Sequence, residues 1–333
     1  MTTEEKIRES LEDVLVPGAM RSLTKLNLVR SISVADGKAS ISLASTALSP
    51  KSQDWLKVKV GETTKGITGI KKVTIDFVEA TPRELNEIKH TVAIMSGKGG
   101  VGKSLVTSLI GVSLARRGYE VGILDADITG PSIPRIFGID GRPAGSDSGI
   151  LPVLSHLGIG IMSINLILPH EDDAVVWRGP LIARTITQFW ENVLWGRLDY
   201  LLVDLPPGTA DAPLTVMQTL PLSGVVIVFS PQELAAMVVR KAVQMAQKMN
   251  IPIIGVVENM SYFLLPDSGK KIEIFGKSKA DEMAKAAGAP LLGQLPIDPD
   301  LARLCDEGSI ERYDSAALNA MADAFLKAMS NQR

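Results

Sequence analysis

The sequence predicts an α/β fold: a mostly parallel sheet covered by helices, preceded by a small α+β domain. Two observations carry this prediction. From His90 onward, short apolar runs alternate with segments of helical spacing, and a glycine-rich loop joins the first run to the first helix. Alternating strands and helices favour parallel pairing, because a crossover helix returns the chain to the same end of the sheet. With 333 residues the chain is long enough for two domains.

Six apolar runs of the larger domain have the length of buried strands. They are Thr91–Met95, Glu120–Leu124, Gly158–Ile164, Tyr200–Val203, Val225–Phe229 and Ile253–Val257. Helical spacing covers Leu105–Arg117 and returns in the tail from Ser315, where we expect a packed helix rather than a membrane anchor. Ligands of parallel sheets lie at the carboxyl ends of the strands, so we expect the functional residues there.

The first 80 residues have the pattern of a separate unit that begins with an amphipathic helix. The apolar face of that helix consists of Ile7, Leu11, Val14 and Leu15. Asp36-Gly37 is a turn signal between two strands, and a helix over 52–60 would bring Trp55 to the core. We expect domains at 1–80 and 90–333, joined by a charged linker over 81–89.

Residues 97–104 form the most informative motif. They read Gly-Lys-Gly-Gly-Val-Gly-Lys-Ser and match the phosphate-binding pattern G-x-x-x-x-G-K-[ST], between a strand and a helix. Glycine lets successive backbone N–H groups face a phosphate, Lys103 would reach the β- and γ-phosphates, and the Ser104 hydroxyl would bind Mg²⁺. The residues expected to contact nucleotide are Gly97, Lys98, Gly99, Gly100, Val101, Gly102, Lys103, Ser104 and Leu105. The fold is therefore expected to be that of a P-loop NTPase.

Three aspartates lie where predicted strands end. Asp125 and Asp127 follow the second strand, and Asp204 ends the fourth, just before a Pro-Pro-Gly turn. Carboxylates beside a phosphate loop are costly unless they meet a cation or a water. We expect Asp204 to hold Mg²⁺, Asp125 to hold a Mg²⁺-bound water and Asp127 to orient the attacking water. Loop capping is the alternative for Asp125 and Asp127, and the Gly208 N–H is expected to sense the γ-phosphate.

Two further residues leave alternatives open. Lys98, one residue into the loop, is either a solvated surface lysine or a group that reaches a phosphate across a dimer interface, as an arginine finger in trans does. Asn259 ends another predicted strand, where its amide could read the adenine edge or cap a helix.

Composition narrows the possible functions. The chain has 35 basic and 37 acidic residues, which gives no electrostatic reason to expect nucleic acid or a membrane surface as a partner. The polar start and the lack of a long apolar run predict no signal peptide and no membrane span. The single cysteine, Cys305, excludes an internal disulfide and suits the cytoplasm. It lies on an apolar face with Leu301 and Leu304, which favours a buried structural cysteine.

The motifs resemble two related groups of proteins. The loop resembles the deviant phosphate loop of the MinD/ParA and nitrogenase-iron-protein class, whose members form ATP-sandwich dimers. This implies ATP as the nucleotide, a homodimer, and Lys98 as the lysine that crosses to the partner's nucleotide. With three further motifs the chain is similar, over nearly its whole length, to the Mrp/ApbC family of ATP-binding iron–sulfur cluster carriers. Those motifs are Asp125-Ala-Asp-Ile-Thr-Gly-Pro-Ser132, Asp204-Leu-Pro-Pro-Gly-Thr209 and Glu258-Asn-Met-Ser-Tyr-Phe263.

The Mrp/ApbC resemblance implies a slow Mg²⁺-dependent ATPase that acts in iron–sulfur cluster assembly or transfer with scaffold or recipient proteins. It also implies adenine contacts by Asn259, Pro296 and Asp298, and a cluster-biogenesis role for the N-terminal unit. Family members carry a Cys-x-x-Cys where this chain has Leu265 and Ser268. A [4Fe–4S] cluster generally needs four thiolates, whereas a dimer of this chain has two, so we expect no cluster ligands of the family's kind.

Three functions follow from this pattern. The first is an iron–sulfur carrier or assembly factor, which the resemblance favours. The second is a positioning switch of the MinD/ParA kind, which would need a membrane helix or a DNA-binding face. The third is a nucleotide-switched regulatory or scaffold ATPase without cluster binding, which the replaced cysteines favour.

Overall fold

The structure, a computed structural model, describes residues 2–127, 130–167, 179–209, 211–232 and 235–332. Ile128 and Thr129 of the Asp125–Ser132 motif lie outside these ranges. The chain folds into two compact units. The first comprises 1–89, 142–154 and 188–198, and the second comprises 90–141, 155–187 and 199–333.

The N-terminal part contains both helices and strands. They are α1 (Thr3–Ser10), β1 (Val29–Ala35), β2 (Lys38–Ala44), α2 (Pro50–Lys65), β3 (Lys72–Val78) and α3 (Pro82–Leu85). β1 and β2 pair antiparallel across Asp36-Gly37, both of which have a positive φ as the turn signal predicts, and β3 lies parallel to β2. The core beneath this sheet contains Ile7, Leu11 and Leu56, each fully buried.

The structure contradicts three expectations about the first unit, two of which concern side chains and one the linker over 81–89. Trp55 is 44% exposed rather than in the core, because α2 buries Leu56, Val60 and Thr64 at four-residue spacing and Trp55 lies outside that stripe. Leu15 is 42% exposed, because α1 ends at Ser10 and the helical face does not continue to it.

The predicted linker over 81–89 is instead regular structure. Thr81 and Glu84 form a capping box at the start of α3, and the next strand begins at Glu87. Leu85 is fully buried in the core of the first unit, and its carbonyl accepts a 2.8 Å hydrogen bond from Asn27 Nδ2. The charged side chains of this segment therefore belong to an ordered helix and strand and not to a linker.

The remaining elements include all six strands that the sequence predicts, with a helix between each consecutive pair of them, and several short strands that it does not predict. They are β4 (Glu87–Ser96), α4 (Lys103–Arg116), β5 (Val121–Asp125), α5 (Ile133–Ile136), β6 (Gly145–Ser146), β7 (Gly149–Ile150), β8 (Val153–Leu154), β9 (Gly160–Ser163), α6 (Gly179–Asn192), β10 (Arg197–Asp204), α7 (Asp211–Thr219), β11 (Gly224–Phe229), α8 (Ala235–Lys248), β12 (Ile253–Glu258), β13 (Phe263–Leu264), β14 (Lys271–Ile272), α9 (Ala280–Ala287), β15 (Leu291–Gln294), α10 (Pro299–Asp306) and α11 (Ala316–Ser330).

The second unit is built on a sheet with the strand order β15-β12-β11-β4-β10-β5-β9. Parallel pairing joins β10 to β5, β5 to β9, and β11 to both β4 and β12. The α/β fold with a mostly parallel sheet is therefore confirmed. β15 was not predicted; its four residues are too few for a clear periodic signal, and Gly293 there leaves room for Met321 of α11.

The C-terminal helix α11 packs on the sheet, as expected. Leu318, Met321 and Phe325 are fully buried on one face of it. Across the described ranges, no helix combines the length and the apolar character that a membrane crossing requires.

Candidate functional site

The phosphate loop runs from the end of β4 to the start of α4. Gly100 and Gly102 have φ of 79° and 80°, a left-handed conformation that favours glycine. At Gly102 a side chain is also excluded by space, because a Cβ there would collide with Nδ2 of Asn259. The backbone thus has the two properties that the motif requires: left-handed turns and room for a close approach.

Lys103 and Ser104, the first residues of α4, meet the carboxylate at the end of β10. Lys103 Nζ lies 2.8 Å from Asp204 Oδ2, and the Ser104 hydroxyl donates a 2.5 Å hydrogen bond to the same oxygen. Thr107, one turn further along α4, donates to Asp204 Oδ1 at 2.8 Å. Both oxygens of the fully buried Asp204 therefore have donors from one helix.

The structure brings together Ser104 and Asp204, two of the three residues predicted to hold Mg²⁺. Thr107 is not among the residues that the sequence predicted for this site. Its position four residues after Lys103 puts it on the same helix face, which is the one signal that could have indicated it.

Asp125 lies beside Asp204 because β5 and β10 pair in register at these two residues. It is fully buried and accepts hydrogen bonds from the Ser163 hydroxyl at 3.1 Å and from the Asp127 N–H at 3.2 Å. Burial, and then the negative charge of Asp204, raise the pKa of Asp125 to about 8. Both effects favour the protonated form of its carboxyl group.

Asp127 is also close to Lys103. Its Oδ2 lies 3.6 Å from Lys103 Nζ, and its side chain is 11% exposed. Together with Asp125 and Asp204, it gives the site three carboxyl groups around one lysine. The Ser104 hydroxyl and the Asp204 carboxylate, which share a hydrogen bond, are oxygen ligands of the kind that suits Mg²⁺. The residues present thus fit the metal that the loop motif implies.

Lys98 contacts a different element. Its ammonium donates to Oε1 of Gln232, in the loop that follows β11, and its backbone carbonyl accepts a 3.0 Å bond from the Ser96 hydroxyl. Within one chain, Lys98 is therefore not a merely solvated lysine. Its predicted reach to a partner's nucleotide stays a prediction.

Asn259, at the end of β12, holds the phosphate loop. Its Nδ2 donates a 2.9 Å hydrogen bond to the Val101 carbonyl, and the residue is 2% exposed. This contact is neither of the two roles that the sequence suggested. The amide is turned toward the loop backbone, and it caps no helix. Adenine binding by Asn259 stays a prediction.

The two other predicted adenine contacts follow β15. Asp298 is the N-cap of α10, where Oδ1 accepts the Asp300 N–H at 2.9 Å, and Oδ2 accepts the Tyr313 hydroxyl at 2.9 Å. Pro296 lies in the half-buried turn between β15 and α10. Backbone bonds such as Leu295 N to Glu258 O, 2.9 Å long, keep this turn next to the end of β12.

Glu258, the neighbour of Asn259, binds the chain that follows β12. It is fully buried and accepts hydrogen bonds from the Ser261 hydroxyl at 2.5 Å, the Ser278 hydroxyl at 2.7 Å and the Lys279 N–H at 2.7 Å. Gln294 Nε2 adds a fourth at 2.9 Å. A buried carboxylate with four donors is well compensated, so Glu258 firmly ties the segment 261–279 to the sheet.

The Gly208 N–H is already hydrogen-bonded in this structure. That N–H donates to the Ser96 carbonyl at 2.9 Å, and Gly208 has a φ of 92°. The bond joins the turn after β10 to the start of the phosphate loop, so a γ-phosphate contact would require it to break.

Comparison with known proteins assigns the chain to a family. Residues 87–331 match the family described as NUBPL iron-transfer P-loop NTPases. The chain belongs to this family. Residues 4–77 of the NUBPL-family chain match a second family, described as iron-sulfur cluster assembly protein. The expected Mrp/ApbC-type assignment is confirmed.

One relative matches nearly the whole chain, and two others match about two thirds of it. The iron-sulfur cluster carrier protein of Synechocystis sp. (strain ATCC 27184 / PCC 6803 / Kazusa) is 36% identical and covers 96% of this chain and 95% of its own length. That of Clostridium perfringens is 47% identical over 68% of this chain and 82% of its own length. The cytosolic Fe-S cluster assembly factor CFD1 of Chaetomium globosum is 43% identical over 69% of this chain and 81% of its own length.

Solved structures support the same fold. A nucleotide-binding protein from Archaeoglobus fulgidus, in complex with ADP, is 50% identical with a TM-score of 0.63 and covers 68% of this chain and 90% of its own. The MinD cell division protein of Aquifex aeolicus has a TM-score of 0.52 at 20% identity and covers 72% of this chain and 97% of its own. The second likeness concerns the fold alone.

Proposed function

We propose that this NUBPL-family chain is a homodimeric, Mg²⁺-dependent ATPase that works in iron–sulfur cluster assembly or transfer in the cytoplasm. The observation that carries the proposal is the set of contacts among Lys103, Ser104 and Asp204, together with the carboxyl groups of Asp125 and Asp127. A phosphate loop joined to a buried acidic strand end has the chemistry that nucleotide phosphates and Mg²⁺ require. The ADP-bound Archaeoglobus relative supports nucleotide binding.

Each residue of the site then has a separate task. The loop N–H groups and Lys103 bind the phosphates, and Ser104 and Asp204 would hold Mg²⁺, which when bound neutralises charge on the phosphate oxygens. Asp125 would accept a hydrogen bond from water on the metal, and Asp127 would orient the attacking water. Lys98 would act in trans, and Asn259, Pro296 and Asp298 would flank the adenine.

The direct test is ATP hydrolysis and nucleotide affinity with and without Mg²⁺. We expect wild type to hydrolyse MgATP slowly and Lys103→Ala to lose at least about tenfold in nucleotide affinity, since a charge-assisted contact to phosphate is removed. Lys285→Ala, a substitution of a lysine in α9, is the matched control and should behave as wild type. Full nucleotide affinity in Lys103→Ala would contradict the assignment of the loop. Sedimentation of the chain with and without ATP tests the dimer.

A second candidate is an assembly ATPase that holds no cluster itself, and Leu265 and Ser268 favour it. They lie in the β13–β14 hairpin, where the Leu265 N–H donates to the Lys270 carbonyl at 3.0 Å and the Gly269 N–H to the Leu265 carbonyl at 2.8 Å. Leucine offers no metal ligand. Cys305 is half-buried, and burial raises its pKa to about 11, which makes the thiolate that clusters require hard to form.

Iron and acid-labile sulfide measured after anaerobic reconstitution separate these two candidates. Wild type and Cys305→Ser are compared, each with its MgATP turnover. About four iron and four sulfide per dimer would indicate a held cluster, and their loss in Cys305→Ser would make Cys305 a ligand. No bound iron in either protein, with turnover intact, would favour the assembly ATPase without a cluster.

A further inference from the structure

The first unit contains an apolar groove of about 620 Å³ beside the start of α2. One wall comes from the N-terminal segment, which includes Leu15 and Met20, and from α2 with Trp55. The other wall comes from the inserted segment 142–154, through Ala144, Gly145 and Leu151. The volume lies within the range of ligand-binding pockets in proteins.

The groove keeps large apolar side chains in contact with water. Met20 is 67% exposed and Trp55 is 44% exposed, although neither belongs to a charged or flexible tail. Scattered exposed apolar residues are ordinary, but several that line one concave surface mark a place where a partner binds. Methionine and tryptophan are also the side chains enriched in protein–protein interfaces, because one adapts its shape and the other offers a large rigid face.

The backbone around the groove is strained. Met20 and Ala47 line it and have φ of 49° and 59°. In the part of the chain that the structure describes, only Met260 shares this left-handed conformation among residues other than glycine, asparagine and aspartate. Strain of this kind persists where the surroundings enforce it, and it is concentrated at binding sites.

One basic residue lies among the described lining of the groove. Lys51 is the charged residue among its described walls, and the groove opens at the amino end of the 16-residue helix α2, whose first turn has no acidic residue. Ser49 caps this helix through its hydroxyl, which accepts the Ser52 N–H at 3.2 Å. A lysine and the positive end of a helix together favour a carboxylate.

We propose that this groove binds a peptide segment of a partner protein that presents a large apolar side chain next to a carboxylate. The apolar side chain packs against Trp55 and Met20, and the carboxylate lies by Lys51. The groove uses no residue of the phosphate site, so this inference does not depend on the proposed ATPase activity.

Selection from a display library of random octapeptides against the full-length chain tests the proposal. The enriched peptides are synthesised with a fluorophore and titrated by fluorescence anisotropy. We expect them to share an aromatic or long aliphatic residue beside aspartate or glutamate. Trp55→Ala should weaken binding more than about fivefold, as for the loss of an aromatic anchor. Lys51→Glu should weaken it about fivefold, and less in high salt.

Two control variants share the helix but not the groove. Val58→Ala removes an exposed apolar side chain of α2, and Lys59→Glu reverses an exposed lysine of the same helix. Both should bind the peptides as wild type does, and thermal unfolding confirms that all four variants are folded. Three results would overturn the proposal: no enriched peptide, enriched peptides without this chemistry, or equal losses in the groove and control variants.

Discussion

The Lys103 ammonium and the Asp204 carboxylate form a buried ion pair of 2.8 Å at the centre of the proposed site. Lys103 is 5% exposed and Asp204 fully buried, so loss of either charge would leave the other less well compensated. A phosphate group would draw Lys103 toward itself, and a metal ion would take its place on Asp204. We infer that nucleotide and Mg²⁺ bind best together, because either one alone weakens the compensation of a buried charge.

Thr107→Val tests how this carboxylate is held. The threonine hydroxyl lies 2.8 Å from Asp204 Oδ1, and valine keeps its shape without the donor. Asp204 would then lose a hydrogen bond that orients it as a metal ligand. The Mg²⁺ concentration for half-maximal ATP turnover should therefore rise about tenfold. Stability should fall by about 1–3 kcal/mol in urea denaturation.

Thr219→Val is the matched control for Thr107→Val. Its hydroxyl bonds to the Thr215 carbonyl within α7, away from the carboxylates. It should leave the Mg²⁺ dependence unchanged. An unchanged Mg²⁺ dependence in Thr107→Val as well would show that this hydroxyl does not orient Asp204.

Asp125 predicts how stability depends on pH in the absence of Mg²⁺ and nucleotide. Its pKa is about 8 when folded and near the ordinary 3.8 when unfolded, so the folded state binds the proton more tightly. The stabilisation of the folded state by this protonated carboxyl group is therefore fully present below pH 3.8 and is lost as pH rises through 8. Wild type should lose stability relative to Asp125→Asn between pH 5 and 8, by at most about 1.4 kcal/mol per pH unit.

Urea denaturation at pH 5, 6, 7 and 8 measures this difference. Asp267→Asn, which replaces an exposed aspartate of the β13–β14 hairpin, should run parallel to wild type over the same range. A constant difference between wild type and Asp125→Asn would mean that Asp125 ionises in the folded protein as an ordinary carboxyl group does.

The Asn259 contact with the loop separates two roles that the sequence could not. If the amide positions the phosphate loop through the Val101 carbonyl, Asn259→Ala should lower the affinities for ATP and GTP by the same factor, about tenfold for a lost buried hydrogen bond. If the amide contacts adenine, only the affinity for ATP should fall. Titration of both nucleotides decides between the roles, and Asn250→Ala, in the turn after α8, serves as the control.

Local patterns in the sequence were sufficient for the loop, for six strands of the central sheet and for the aspartates at their ends, but not for β15. The motif 97–104 lies between a strand and a helix in phosphate-binding folds, so it predicts both flanking elements. The bond from Asn259 to Val101 joins residues 158 positions apart, and the four donors around Glu258 come from three separate stretches of the chain. No local pattern encodes such contacts, because only the packed sheet brings the residues together.

Trp55 shows a different limit. Helical spacing correctly predicted α2, but a shift of one residue decides which side chain faces the core, and Leu56 took that place. Trp55 instead stays exposed and lines the groove in the first unit. Propensity indicates that a helix forms, whereas the neighbours that cover it determine which face is buried.

Complementation between two inactive variants tests the predicted action of Lys98 in trans. Lys98→Ala and Asp127→Ala should each lose turnover, the first because the phosphate charge loses a stabilising group and the second because water is not oriented. In a mixed dimer, the Lys98→Ala chain keeps its own Asp127 and receives Lys98 from its partner. One of its two sites is then complete, and random mixing should restore roughly one quarter of wild-type turnover.

The same mixture distinguishes the alternatives for Lys98. If Lys98 acts within its own chain, no site in the mixed dimer is complete, and turnover stays at the level of the single variants. Gln232→Ala is the matched control: it removes the partner of Lys98 in the structure described here but no group proposed to touch phosphate. It should retain turnover, and a loss as large as that of Lys98→Ala would mean that the contact with Gln232 is the functional position of the lysine.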